Sequence, residues 1–318
     1  MTALTSKKPI VMIAGPTASG KSGLALATAI ELNGVIINAD SMQVYRELRV
    51  LTARPDENDV ALAPHKLYGI LPAATACSVG QWQEMATVGI KAAWDEGKLP
   101  ILTGGTGLYF KSLMGGLSAI PDIPEKIRQA ARAKQEEIGT PALHKELAEV
   151  DPVSAKRLNP SDSQRIIRAY EVYQATRRSL TSWHADDPAT PPLDARYHVI
   201  KFEPPRDILY ASCEARFDWM FDHGAMAEVE ALLDLKLNRD LPAMKALGVA
   251  ELSRHLAGEL NKEEAVTRAK RVTRNYAKRQ LTWFRNQINA SETIFAQYSE
   301  SLLPEIFPKI RKFVLTTQ

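Results

Sequence analysis

Eight residues constrain this chain more than any other feature. Gly15, Pro16, Thr17, Ala18, Ser19, Gly20, Lys21 and Ser22 fit the pattern G-x-x-x-x-G-K-[ST]. They lie between an apolar run, Ile10 to Ala14, and a helical pattern that starts at Lys21 and is closed at Asn33 by Gly34. A strand that turns through such a loop into a helix aims backbone N–H groups at phosphate oxygens. The lysine adds charge and the closing serine offers a hydroxyl to Mg²⁺. Whether the ligand is a nucleoside triphosphate or another diphosphate stays open at this point. The surrounding sequence repeats the alternation. Val35 to Ala39 reads as a second strand running into Asp40. Ser78 and Gln81 form a capping box for a helix to about Glu96, closed by Gly97. Leu99 to Thr103 reads as a further strand. Strands separated by helices mean βαβ units and a parallel sheet. The expected fold class is α/β, a P-loop NTPase-like parallel sheet core with a mostly helical insertion domain.

The insertion is read from about Met114 to Arg178, where no strand pattern occurs and helical pieces break at Pro141, Pro152 and Pro160. A Pro-rich linker follows from Trp183 to Asp194, too rich in proline for either element. His198 to Phe202 looks like one more strand returning to the first sheet, and the remainder reads as mostly helical. The expected division is therefore 1–113 and 196–318 for the core, with 114–195 as the insertion. Hydrophobic residues make up 45% of the 318 and charged ones 24%, enough for a sizeable core. The net charge of +3 is too small by itself to argue for a coat of nucleic acid or a membrane surface. That sum hides a local excess: Val266 to Arg285 carries seven basic residues and no acidic one. Cys77 and Cys213 cannot staple a secreted fold, and neither they nor His65, His144, His184 and His255 have metal-ligand spacing. No apolar run approaches 18 residues, and Met1 to Lys8 leads into Pro9 without a signal-type segment. A soluble, cytosolic protein is expected, with no membrane partner.

Two more motifs follow strands. Asp40, Ser41, Met42 and Gln43 open the stretch that runs to Tyr45 and Arg46 at the carboxyl edge of the sheet, where α/β proteins bind ligands. Asp40 can cap a turn, hold Mg²⁺, or face the phosphate site as a proton-accepting base. Gly104, Gly105, Thr106 and Gly107 follow the strand ending at Thr103. Three glycines in four residues mean close backbone approach in a tight turn, and Thr106 can present its hydroxyl into the same cleft.

The three motifs, in this order and spacing, resemble the tRNA dimethylallyltransferase family, of the bacterial type. Gln164, Arg165, Ile166, Ile167 and Arg168 in the insertion agree with it, as do Lys278, Arg279, Gln280, Leu281, Thr282, Trp283, Phe284 and Arg285. The resemblance spans nearly the whole chain. It implies transfer of a dimethylallyl group from its diphosphate to the exocyclic N6 of adenine 37 in tRNA, with core and insertion clamping the anticodon stem-loop. It further implies that residues 15–22 bind the diphosphate, that Ser22 holds Mg²⁺, and that Asp40, Thr17 and Arg216 are catalytic. Asp40, Ser41, Met42, Gln43, Thr106, Arg128, 164–168 and 278–285 would touch tRNA, and the enzyme would act as a monomer. Two departures stand out. The family's bacterial pattern G-T-A-K-P is here Leu51, Thr52, Ala53, Arg54, Pro55, and a usual His-His pair is His65-Lys66.

The residues also carry a reading of their own. Gln164, Arg165 and Arg168 can share one helix face above apolar Ile166, Ile167, Tyr170 and Tyr173, which a plain solvated basic face would do equally. From Val266 to Arg285 cations interleave with Tyr276, Trp283 and Phe284. Charge neutralisation with aromatic stacking is how single-stranded RNA loops are held. Arg216, beside Phe217, Met220 and Phe221, reads locally as a salt-bridged arginine. Rival functions for the same core are a P-loop kinase of a small metabolite, an RNA-binding ATPase, and a prenyltransferase acting on free adenine nucleotides.

Overall fold

Strand β1 (Lys8–Ala14) explains the layering. From Ile10 onward its residues are fully buried, and alternate side chains enter different cores: Ile10, Met12 and Ala14 face one cluster, Val11 and Ile13 the other. A strand covered on both faces needs such a continuous apolar run rather than polar alternation. The computed structural model describes residues 7–186 and 189–316. Residues 1–6, on which the lack of a signal segment was read, and 187–188 of the Pro-rich stretch lie outside them.

Along the chain follow α1 (Lys21–Glu31), β2 (Gly34–Asn38), α2 (Glu57–Leu62), β3 (His65–Lys66), α3 (Val79–Asp95), β4 (Leu99–Gly104) and α4 (Gly107–Gly115). The capping box of Ser78 and Gln81 opens α3 as expected. After a helical stretch the chain re-enters the sheet as β5 (Ala195–Phe202). The sheet has six strands in the order β3-β2-β4-β1-β5, ending with a strand at Glu292–Ile294, and every pairing is parallel. The P-loop, Asp40 and the Gly104–Gly107 turn thus leave the carboxyl ends of three adjacent strands. The parallel α/β core is as expected; the sixth strand is not, because three residues give no readable pattern.

The chain divides into two compact units, Met1–Met114 with Pro192–Gln318, and Gly115–Pro191. The second unit holds α5 (Glu125–Ile138), α6 (Thr140–Val150), α7 (Pro152–Arg157), α8 (Ser163–Thr176) and α9 (Leu180–Asp186). Pro141 and Pro152 sit in the first turns of α6 and α7, where the missing N–H costs nothing. Ala131, Leu143, Leu147, Ile166 and Ala169 make its small core. The linker expectation needs correcting at its start: Trp183 to Asp186 close α9, since the prolines begin only at Pro188.

The rest of the first unit carries α10 (Arg206–Met220), α11 (Met226–Asp234), α12 (Val249–Leu256), α13 (Lys262–Gln287), strand β6 (Glu292–Ile294) and α14 (Leu303–Leu315). Helix α13 runs 26 residues from a capping box of Asn261 and Glu264. At 1.5 Å per residue it is about 39 Å long. Its buried line of Ala265, Ala269, Thr273, Ala277, Gln280 and Phe284 repeats every three or four residues and seats it on the core.

Candidate active site

The phosphate loop folds as its sequence requires. Gly20 has φ +82, a left-handed value that L side chains rarely adopt, and it hands the chain to α1 with no side-chain cap among the described residues. Lys21 curls back, its Nζ donating to the Pro16 carbonyl at 3.2 Å. Burial pushes the Lys21 ammonium down to about 8. The Asp40 carboxylate opposes that shift and the Arg216 guanidinium adds to it. A desolvated cation held without a direct carboxylate partner is poised for an anion.

Asp40 is fixed from both sides. Its N–H donates to Asn38 Oδ1 at 2.8 Å, while its Oδ1 accepts from the Met42 N–H at 2.9 Å. Asn38 is itself fully buried, with Nδ2 donating to the carbonyls of Asp40 and Leu67 and its own carbonyl accepting from Trp82 Nε1. The second oxygen of Asp40, Oδ2, faces the Gly105 turn, 3.5 Å from where a Cβ on that glycine would stand. Thr106 ties the two loops together: its Oγ1 accepts from the Ser41 N–H at 2.9 Å and lies 3.2 Å from Ser41 Oγ.

A glutamine closes the site. Gln280 Oε1 accepts from the Thr17 N–H and its Nε2 donates to the Gly105 carbonyl, both at 2.8 Å. A Cβ at Gly105 would lie 2.1 Å from that Nε2, so a side chain there would push the Gln280 amide out of this bond. Arg216 donates through Nη2 to Thr17 Oγ1, while its Nε is buried with no partner among the described residues. The structure thus brings Thr17, Lys21, Asp40, Thr106, Arg216 and Gln280 together around one cleft, drawn from α1, α10, α13 and three strand ends. Tyr276 borders it: burial raises its phenol, and Asp40 raises it further.

One small cavity borders the phosphate loop. The exposed Ser22 lines a cavity of about 90 Å³ together with Arg54, Asp59, His65, Tyr68 and Thr103. The Thr103 hydroxyl is buried and has no hydrogen-bond partner among the described residues. Hydroxyl donors with room for roughly three waters suit Mg²⁺, which keeps much of its hydration shell. No cluster of three His, Cys, Asp or Glu that could hold a metal occurs among the described residues, so an ion here would rely on Ser22, water and the ligand's oxygens.

The residues expected to contact nucleic acid fare unequally. Lys278, Arg279 and Thr282 are exposed on α13, and Trp283 is half-buried against Gly107. Phe284 and Gln280 belong to the interior, and Leu281 packs beside Cys213 and Ala18; the helical period turns these positions inward. Arg285 pairs with buried Glu203 at 3.1 Å. Gln43 spends its amide on the carbonyls of Thr52 and Ala53, bracing the loop with Arg54, and Met42 packs on the core. In the second unit Gln164 and Arg165 are exposed, Ile166 is fully buried and Ile167 half-buried. Arg168 lies 3.8 Å from buried Glu171. Arg128 is half-buried, its Nε unpaired among the described residues. Direct RNA contact by Ile166, Gln280 and Phe284 is therefore corrected to a packing or bracing role, since their side chains offer no surface. The bracing of Asn38 and Gln280 went unread in the sequence; a polar residue ending the otherwise apolar strand β2 was the available signal for Asn38.

Known proteins resemble this chain in sequence and fold. A family model described as IPP transferase matches residues 43–287. A tRNA dimethylallyltransferase of Paramagnetospirillum magneticum is 53% identical over 312 residues, covering 98% of this chain and 99% of that protein. The full-length tRNA isopentenylpyrophosphate transferase of Bacillus halodurans superposes with TM-score 0.70 at 32% identity, covering 97% of each chain. A eukaryotic dimethylallyltransferase acting on tRNA shares the fold at TM-score 0.80 and 23% identity, over 96% of this chain and 79% of its own. By sequence and by structure, this chain belongs to the IPP transferase family.

Proposed function

We propose that the chain is a tRNA dimethylallyltransferase, moving a dimethylallyl group from its diphosphate to N6 of adenine 37 in the anticodon loop. The observation that carries this reading is the Asp40 carboxylate, its Oδ2 turned to the Gly105 turn, close enough to a desolvated Lys21 to act on it electrostatically. In the reaction the C1–O bond of the allylic diphosphate breaks, the N6–C1 bond forms, and N6 loses one proton. Asp40 accepts that proton, its carboxylate held by the Met42 N–H. The P-loop N–H groups, Lys21 and Arg216 stabilise the departing diphosphate, where charge develops most. Thr17, held by Arg216 and Gln280, faces the breaking bond. Mg²⁺, held through Ser22 and water, would neutralise phosphate charge.

Adenine N6 is stacked inside the loop of the tRNA, so the base must leave the stack to react. Exposed Lys278 and Arg279 on α13, with Arg279 lying over Tyr276 at 5.5 Å, supply the phosphate-neutralising and stacking groups on the first unit. Gln164, Arg165 and Arg168 on α8 supply the corresponding groups on the second, and 114–195 is the tRNA-contacting domain. No helix among the described residues is long and apolar enough to cross a membrane. The test is to offer labelled dimethylallyl diphosphate and labelled ATP, each with tRNA and with AMP. Label passing from the allylic donor to tRNA alone supports the reading. Transfer to AMP, or phosphoryl transfer from ATP, contradicts it.

A further inference from the structure

The segment after β6 braces the phosphate loop from outside. Gln297 Nε2 donates to the Ala18 carbonyl at 2.6 Å, and the Tyr298 N–H donates to the Ser19 carbonyl at 3.2 Å. A trans peptide is planar, with its C=O and its N–H on opposite sides. Two successive carbonyls turned toward this segment therefore turn the N–H groups of Ser19 and Gly20 away from it. On that other side the Ser19 N–H reaches the Pro16 carbonyl at 3.3 Å, and Lys21 Nζ folds back to the same oxygen at 3.2 Å. The donor face of the loop, the one phosphate oxygens would meet, is thus set by what holds its carbonyl face.

The loop is strained where it is held. Ala18 has φ +62, a left-handed value that costs a residue with a Cβ and costs glycine almost nothing. Such a conformation persists only where its surroundings enforce it. For Ala18 these are the packing of its methyl beside Leu209, Cys213 and Ala277, and the bond from Gln297. The Gln297 amide is spent on this bond alone, since its Oε1 is buried with no partner among the described residues. The segment that carries Gln297 is firm. Strand β6 pairs with β5, the Ile294 carbonyl accepts from the Glu203 N–H at 2.8 Å, and Tyr298 packs with Leu24, Phe202 and Ile306.

We propose that Gln297 is a positioning residue for the diphosphate. It pins the Ala18 carbonyl, holds Ala18 in its left-handed conformation, and so keeps the N–H groups of the loop aimed at the ligand. The inference rests on the reading that the loop holds an allylic diphosphate, and it adds a group outside the loop that prepares it. Gln297 acts through Ala18 rather than on the ligand.

A double-mutant cycle tests it, read by calorimetric titration of the full chain with inorganic diphosphate and Mg²⁺. Gln297→Ala should weaken diphosphate binding by about three- to tenfold, the worth of one hydrogen bond. Gln297→Met, of similar length but without an N–H, should lose as much, and it replaces the alanine variant should that one fail to fold. In an Ala18→Gly background the strain is gone, so the same substitutions at position 297 should cost less than about twofold. A general loosening of the fold would cost the same in both backgrounds. Unchanged diphosphate affinity in the folded Gln297 variants would overturn the proposal. So would a loss as large or larger in the Ala18→Gly background, or a wild type that does not bind diphosphate. Transfer to tRNA is measured on wild type in parallel. Its absence defeats the proposed function, whereas the cycle alone decides on Gln297.

Discussion

At the scale of single residues, the site depends on a lysine that folding makes less basic. Burial brings Lys21 from the ordinary lysine value of 10.5 to about 8, so it is charged below that pH and neutral above it. Two consequences carry opposite signs. Affinity for an alkyl diphosphate should fall as pH rises through about 8, because the loop loses its side-chain cation. Over the window from 8 to 10.5 the unfolded chain still binds the proton and the folded one does not, so this residue's contribution to stability should rise with pH. Binding titrations from pH 7 to 9.5 check the first, with Lys21→Arg, charged throughout, expected to flatten the profile. A flat wild-type profile would refute it. The loop was legible in the sequence because its chemistry is contained in eight consecutive residues. The bond from Gln280 to Thr17 was not, since it joins positions 263 apart along the chain.

At the scale of elements, α13 does two jobs on two faces, and substitutions should separate them. Phe284 is wholly buried, so Phe284→Ala should cost roughly 3–5 kcal/mol of stability. Arg279 is exposed; Arg279→Ala should leave stability nearly unchanged, weaken tRNA binding, and lower the salt slope by about one. Chemical denaturation and binding across a salt series check the pair, and an unchanged slope for Arg279→Ala would remove that residue from the RNA face. The run of seven basic residues announced the exposed face. What charge could not convey was which interleaved aromatics turn inward, because that depends on the helix's seating: Phe284 goes to the core and Trp283 to the edge of the Gly107 turn. Strand β6 escaped notice for a related reason, its three residues being held by pairing with β5 rather than by any local preference.

At the scale of the molecule, the proposed reaction divides into three tasks. On the proposed reading the P-loop holds the diphosphate, exposed basic groups hold the RNA, and Asp40 takes one proton. The α/β alternation and the helical insertion were readable because strand, helix and proline signals are local. The meeting of Asp40, Arg216 and Gln280 was not, being a product of long-range packing. If the tasks are separate, removing the charge of Asp40 should harm the chemical step alone. The measurement is the single-turnover rate of dimethylallyl transfer to a tRNA bearing adenine 37, for wild type and Asp40→Asn, across a range of Mg²⁺ concentrations. The predicted result is a rate lower by about 10²–10⁴-fold at every metal concentration, with tRNA and diphosphate affinities close to wild type. Recovery of the Asn variant to near the wild-type rate at high Mg²⁺ would contradict the account, making Asp40 a metal ligand and leaving N6 without its base.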